Sequence, residues 1–383
     1  MIGICLKYEQ NNYGSKLQAL ATLKIFQEMG LDYQLLKYGK KDLGFKLRVA
    51  SRIFNPIFLN DQYDKYQKKI KFRIHPEVGA KIRTRTSLFS EFDKRHFSES
   101  VVRCPTYREL QRKAAEYSAI VTCSDQLWSP AALSTNFYNL MFVPEKIKKI
   151  SFSSSFGVSK IPWYQANRTR RYLNRIEHVS VRENQGQAIV KSLTGRDVPV
   201  LMDPIFTYSK EEWEEMIPLE KIYNEPYIFS YFLGANPNHR IAVKKLAKKT
   251  GLKIVTLPHL DRYVPEDEEI SDYAPFNISP EAFLNIIRGA EYICTDSFHG
   301  CAFSIICEKK FIVYNRYNDT SSNSKNSRID TICANLDLLQ RRISPKSNIY
   351  SAITQPIDYG KVKLLLQSYR QKIREYLHQA FEK

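Results

Sequence analysis

No apolar run in the sequence approaches the ~20 residues that a membrane-spanning helix needs. No Cys-x-x-Cys pair occurs either. The cysteines, seven in all at positions 5, 104, 123, 294, 301, 307 and 333, are scattered and odd in number, which argues against a disulfide scaffold and against a zinc site. Reduced thiols in a cytosol and no metal are the expectation. Gly-x-Gly-x-x-Gly, the phosphate-binding Walker loop and Gly-x-Ser-x-Gly are all missing, so neither a dinucleotide fingerprint nor a hydrolase nucleophile elbow is present. Zinc-finger, RNA-binding and helix-turn-helix signatures are missing too, and nucleic acid is not an expected partner. The opening run Met1–Lys7 meets a charge too early for a secretory signal and reads as the first strand of a folded domain.

What remains is an ordinary globular composition with an extraordinary charge. The chain has 383 residues, 43% hydrophobic and 26% charged, and exceeds the size at which one core stops growing, so two domains are expected. Its net charge is +18. Between Lys37 and Arg95 stand sixteen Lys and Arg against six Asp and Glu, a net of +10. Such a segment attracts something anionic, an acidic membrane face or a phosphate-bearing substrate, unless it is a solvated helical insertion.

Short apolar runs alternate with amphipathic stretches, the habit of an α/β protein. Strands are expected at Met1–Leu6, Tyr33–Tyr38, Ala119–Cys123, Lys149–Phe156, His178–Val181 and Val198–Leu201, and helices at Leu17–Met29 and Arg182–Thr194. A basic helical insertion fills about 40–115. The stretch Asp203 to Pro226 reads as an interdomain link, after which a second α/β pattern runs through strands Tyr227–Phe232, Lys253–Leu257, Glu291–Cys294 and Phe311–Tyr314. At the end, Val362, Leu366, Tyr369, Ile373 and Tyr376 alternate by four and three, one apolar face of a helix. The expected architecture is therefore two Rossmann-like domains facing a cleft: 1–210 carrying the insertion, 225–345, and a bracing helix in 355–383.

In open α/β sheets ligands gather at the carboxyl ends of strands, which singles out three turns. Asn12-Tyr13-Gly14-Ser15 opens a helix whose free N–H groups favour an anion, or is a plain capped turn. In Ser124-Asp125-Gln126-Leu127-Trp128, Asp125 is either a helix cap or a base on a hydroxyl, and Trp128 either core or a sugar platform. Thr295-Asp296-Ser297-Phe298-His299-Gly300 puts a histidine beyond a strand, where it suits general acid chemistry if its pKa stays near neutrality. Arg182-Glu183 adds a guanidinium fork suited to a carboxylate or phosphate.

Taken in order, Asn12-Tyr13-Gly14-Ser15, Ser124-Asp125-Gln126-x-Trp128, Ser153-x-Ser155-Phe156-Gly157, Ser180-Val181-Arg182-Glu183, Asp203-Pro204, Tyr231-Phe232-Leu233-Gly234 and Thr295–Gly300 resemble the polysaccharide pyruvyl transferase family over roughly residues 2–340. The resemblance implies a GT-B-like fold and transfer of the pyruvyl skeleton of phosphoenolpyruvate onto two sugar hydroxyls. It implies His299 as general acid and Arg182 as donor-binding. Many members carry Arg two residues before the histidine, and here that position is Ser297. Either Arg316 or Arg328 replaces that cation, or the donor differs.

Around this frame the candidate site takes Asp125, then Glu183, as proton acceptor. Asn12, Gly14, Ser15, Ser124, Ser297, Gly300, Arg316 and Arg328 join Arg182 on the donor side. Gln126, Trp128 and Asp296 fall on the acceptor side, with Asp296 also placed to orient the imidazole or cap the helix. No cofactor is called for, since arginine and imidazolium can hold the negative charge of the donor substrate, phosphoenolpyruvate. The expected partner is a sugar or lipid-linked oligosaccharide. The expected location is the cytoplasm, with the basic segment touching an anionic inner membrane face. A nucleotide-sugar glycosyltransferase of GT-B type and a non-catalytic glycan assembly protein remain the alternatives.

Overall fold

The computed structural model describes residues 1–39, 59, 63, 76–130, 136–260, 264–317 and 326–382. Most of the basic segment, including Phe45, Leu47, Ile53, Phe54, Ile57 and Phe58, lies outside these described residues; its expected helical character can be followed only from Pro76 on.

Strands β1 (Ile2–Cys5), β2 (Tyr33–Tyr38), β3 (Val101–Cys104), β4 (Ala119–Cys123), β5 (Lys148–Ser154) and β6 (His178–Val181) form one six-stranded sheet in the order β3-β2-β1-β4-β5-β6. Every pairing is parallel. Strands β7 (Tyr227–Tyr231), β8 (Lys253–Thr256), β9 (Tyr292–Thr295) and β10 (Lys310–Val313) form a second parallel sheet in the order β10-β9-β7-β8. Central strands β1, β4 and β7 are buried at every residue, as strands covered by helices on both faces must be. The order reverses between β1 and β4 in one sheet and between β7 and β9 in the other, and such switch points open crevices at strand carboxyl ends.

Three elements hold the two sheets together. Helix α1 (Tyr13–Glu28), capped by the Asn12 side chain, sends Tyr13 across to stack on Phe283 at 4.6 Å. Helix α2 (Pro76–His96) carries the buried Arg85, which donates to the carbonyls of Pro258, Pro275 and Phe276 at 2.6, 2.7 and 3.0 Å. The last helix, Tyr359–Phe381, buries Val362, Leu366, Ile373 and Tyr376. Its Tyr359 hydroxyl bonds the Lys309 carbonyl near the second sheet, while Tyr376 donates to the Ser151 carbonyl of β5 at 2.6 Å. No helix among the described residues is long and apolar enough to cross a membrane.

The structure departs from the sequence reading in two places. Val101–Cys104, inside the expected insertion, is edge strand β3 of the first sheet, paired with β2. Its brevity and its central arginine hide it. Val198–Leu201 makes only an isolated bridge, Val200 to Val181. The stretch Asp203–Tyr208, at the start of the expected interdomain link, is wholly buried.

Candidate active site

The carboxyl ends of the two sheets face each other, and the first turn of α1 meets the first turn of the helix Phe298–Ile306. Contact is closest at Gly14, where an added Cβ would lie 2.0 Å from the His299 ring. Ser297 caps the second helix, its hydroxyl accepting from the Gly300 N–H at 3.3 Å. This cap fixes the turn that presents His299.

Beside His299 lies a cavity of about 230 Å³ walled by Lys7, Gln10, Asn12, Ser15, Asp125, Gln126, Leu233, Ser297, Phe298, His299, Arg316 and Arg328. Its walls thus carry three permanent cations, Lys7, Arg316 and Arg328, against one carboxylate. Burial, reinforced by the like charges of Arg182 and Arg316, pushes Arg328 down to about 10, still charged at neutral pH. Arg316 reaches the Asp296 carbonyl at 2.8 Å and its carboxylate at 3.4 Å. A small, strongly anionic molecule is what such a wall attracts. The two cations weighed as substitutes for the arginine missing at Ser297 both stand on it.

His299 itself is not the imidazolium expected of a general acid. Burial is the main cause pushing it down to about 4, and Arg182 and Arg328 add to it, against the opposing pull of Asp203 and Asp125. Its Nε2 has no hydrogen-bond partner and lies 3.9 Å from Asp203.

Asp125 sits at the β1/β4 switch point on a turn bent through the left-handed region, with φ of 46° at Ser124 and 53° at Asp125. Few residues other than glycine adopt that conformation. Backbone bonds from Ser124 to Phe152 (2.8 Å) and from Ser155 to Asp125 (3.0 Å) hold it. The Asp125 carboxylate accepts from Ser15 Oγ at 3.0 Å and from the Gln126 N–H at 2.7 Å, with Lys7 3.6 Å away. Burial would raise its pKa, but Lys7, Arg182 and His299 outweigh that and hold it well below the usual carboxylate range. It is a weak base, which counts against the role of proton acceptor.

Several other candidates stand behind the cavity rather than on it. Arg182 pairs with the buried Asp203 at 2.5 Å and lies over the Phe298 ring, so its partner is Asp203 and not Glu183. Ser124 also donates to Asp203, at 2.7 Å. Glu183 is buried and accepts from Ser155 Oγ and the Phe156 N–H, both at 2.9 Å; it clamps a loop and does not line this cavity. Trp128 is fully buried against Phe156 and Tyr172, its indole donating to the Tyr138 carbonyl. It is core and not a sugar platform. Asp296 accepts from the Leu233 and Gly234 N–H groups at 2.7 and 2.9 Å, so it shapes the turn after β7 and orients no imidazole. Gly300 allows close packing on Thr295. Sequence reasoning missed Lys7 and Asp203 as site residues; the second stood in the ordered set of blocks but without a role.

A larger cavity of about 590 Å³ adjoins the first, and Gln10, Asn12, Leu233 and Arg316 line both. Two Rossmann-like domains facing a cleft of this kind define a GT-B-like protein. The family model for polysaccharide pyruvyl transferase matches residues 12–318, and the chain belongs to this transferase family. A search of curated proteins finds no match. Among solved structures, a UDP-N-acetylglucosamine 2-epimerase is similar over 100% of this chain and 96% of its own, at 12% identity and a TM-score of 0.51. The UDP-GlcNAc 2-epimerase of Neisseria meningitidis, bound to UDP-GlcNAc, matches over 99% of both chains at 13% identity and a TM-score of 0.49. At such identity the first likeness speaks to fold alone.

Proposed function

We propose that this chain transfers the pyruvyl group of phosphoenolpyruvate to two hydroxyls of one sugar in a cell-surface polysaccharide or its lipid-linked precursor. The observation that carries the reading is the cavity of about 230 Å³ in which Lys7, Arg316 and Arg328 surround His299. Phosphoenolpyruvate is small and bears a carboxylate and a phosphate; it needs cations at both ends, and guanidinium forks suit both groups.

The reaction balances with two protons. C3 of the donor gains one and becomes a methyl group. C2 gains bonds to two sugar oxygens, its bond to the phosphate oxygen breaks, and phosphate leaves with the second proton. In this reading His299 delivers a proton. Burial keeps it neutral at pH 7, but a bound polyanion favours the imidazolium and raises its proton affinity. The acid is therefore armed by the donor. Arg182 and Asp203, behind the imidazole, hold the ring's surroundings fixed.

The lipid-linked precursor would be met at the cytoplasmic face of the membrane, and the reading includes peripheral contact there through the basic segment. The test of the donor is calorimetric binding together with phosphate or nucleotide release, comparing phosphoenolpyruvate with a panel of nucleotide sugars. Phosphoenolpyruvate should bind, with affinity falling at least 10-fold in Arg328→Ala. Binding and turnover of a nucleotide sugar in its place would overturn the reading.

A further inference from the structure

The acceptor hydroxyl must lose a proton, and neither carboxylate first considered is suited to take it: Asp125 is a weak base and Glu183 lines neither cavity. The larger cavity holds another candidate. His259 lines it, and His259 Nδ1 lies 2.5 Å from Asp267 Oδ2. The other Asp267 oxygen accepts from Arg240 Nε at 2.9 Å and from Nη2 at 2.5 Å. All three side chains are at most 2% exposed. Arg240 also donates to the Gly234 and Asn236 carbonyls, each at 3.1 Å, tying this group to the turn after β7, whose Leu233 lines both cavities. Across the domain boundary, Arg85 holds the carbonyl of the preceding residue, Pro258.

The chemistry of the arrangement is specific. A carboxylate only accepts, so Nδ1 is the donor to Asp267, and the one ring position that can carry a lone pair is Nε2. That Nε2 is buried and has no hydrogen-bond partner. A buried acceptor without a donor is costly, and a ligand hydroxyl is the donor that a sugar supplies. Orientation of an imidazole by a buried aspartate, with the far nitrogen facing a hydroxyl, is a recurrent way of making a general base.

We propose that the larger cavity receives the acceptor, a hexopyranoside with two free hydroxyls, and that His259 Nε2 takes the proton of the attacking one. This rests on the ketal-forming reading above. As the hydroxyl O–H bond breaks, its electron pair forms the bond to C2 while the proton from His299 enters C3. Asp267 and Arg240 are positioning residues, fixing which nitrogen is basic.

The test uses the full chain with phosphoenolpyruvate and a panel of methyl α- and β-hexopyranosides (gluco, galacto and manno), followed by saturation-transfer NMR and by the imidazole ¹⁵N spectrum. Wild type should bind at least one hexoside and shift the His259 Nε2 resonance. His259→Gln, which keeps the Arg240–Asp267 pair, should weaken that hexoside at least 10-fold and leave phosphoenolpyruvate affinity within about 2-fold. Asp267→Asn reverses the hydrogen bond to Nδ1, puts the proton on Nε2 and should also weaken the hexoside. Absence of hexoside binding to wild type, or unchanged binding in folded His259→Gln, overturns the proposal. Hexoside binding that depends on His259 without any phosphoenolpyruvate binding would leave this site standing and sink the donor reading instead.

Discussion

Gly14 and His299, on helices from opposite domains, approach so closely that a methyl group at position 14 would overlap the imidazole. The glycine is not required by a left-handed backbone, since it is a helical residue in the first turn of α1. It is required by proximity. Gly14→Ala must displace His299 or wedge the domains apart, an overpacking that costs about 1–3 kcal/mol. Phosphate release should fall at least 10-fold, with a lower melting temperature; a fully active alanine variant would mean that the two helices separate during turnover.

His299→Asn removes the proton donor without removing an ion partner, because burial keeps the ring neutral at pH 7. The variant should stay folded and lose about 100-fold or more in turnover, the scale of a lost general acid. Steady-state phosphate release beside a thermal melt checks both halves. Near-normal turnover in a folded variant would end the assignment.

Two buried histidines make stability depend on acid. Burial pushes both His299 and His239 down to about 4, below the ordinary 6.5. Between those values the unfolded chain binds protons that the folded one refuses, so stability is full above pH 6.5 and is lost as pH falls toward 4. Each group contributes on the order of 2–3 kcal/mol over that window. Melting temperature should drop steadily from pH 6.5 to 4, and more shallowly in His299→Asn. An equal slope in that variant would show that His299 titrates normally.

The strand-then-turn pattern made most of this site legible. Ser124–Gln126 and Asp296–His299 follow apolar runs that read as strands, and the four-and-three spacing from Val362 to Tyr376 announced the last helix. What stayed hidden depends on contacts distant in sequence. Asp203 reads as the start of a link because it precedes a proline and an acidic stretch, yet it is the buried partner of Arg182, 21 residues away. Lys7 is one lysine among many until the parallel pairing of β1 with β4 brings it near Asp125. Arg85 looks like another charge in a basic run, and only the placement of three second-domain carbonyls around it shows otherwise.

The Arg182–Asp203 pair separates a stability role from a binding one. Asp203→Ala leaves a buried guanidinium without its counter-charge, a change that costs about 3–5 kcal/mol, read as a lower urea midpoint. Arg182→Lys retains a cation for Asp203 but loses the planar contact with Phe298 and the reach to Ser124. Donor affinity should fall by roughly 3- to 10-fold as the wall around Phe298 and His299 relaxes. An unchanged donor affinity would confine Arg182 to folding.

The last expectation concerns the membrane. Within the basic segment, several described cations are already engaged inside the protein: Lys37 with Glu9, Lys81 with Glu268 at 3.7 Å, Arg95 with Glu281 at 2.7 Å, and Arg85 with its carbonyls. The membrane reading is tested on the stretch that holds Lys40, Lys41, Lys46, Arg48 and Arg52, where apolar residues such as Phe45 and Leu47 are interleaved. Mixed basic and apolar sequence suits an anionic interface. The protein should sediment with vesicles containing anionic lipid at low salt and release as salt rises, since the attraction is screened over roughly 10 Å at 0.1 M. Tryptophan emission supplies a control on which face binds. Of the three tryptophans, Trp128 and Trp213 are fully buried and Trp163 is 87% exposed, so a blue shift on adding vesicles reports Trp163 alone. Reversing those five charges should abolish sedimentation. If binding survives the reversal while Trp163 emission shifts, the contact lies at Trp163 and Tyr164 instead; if nothing sediments at low salt, the membrane reading fails.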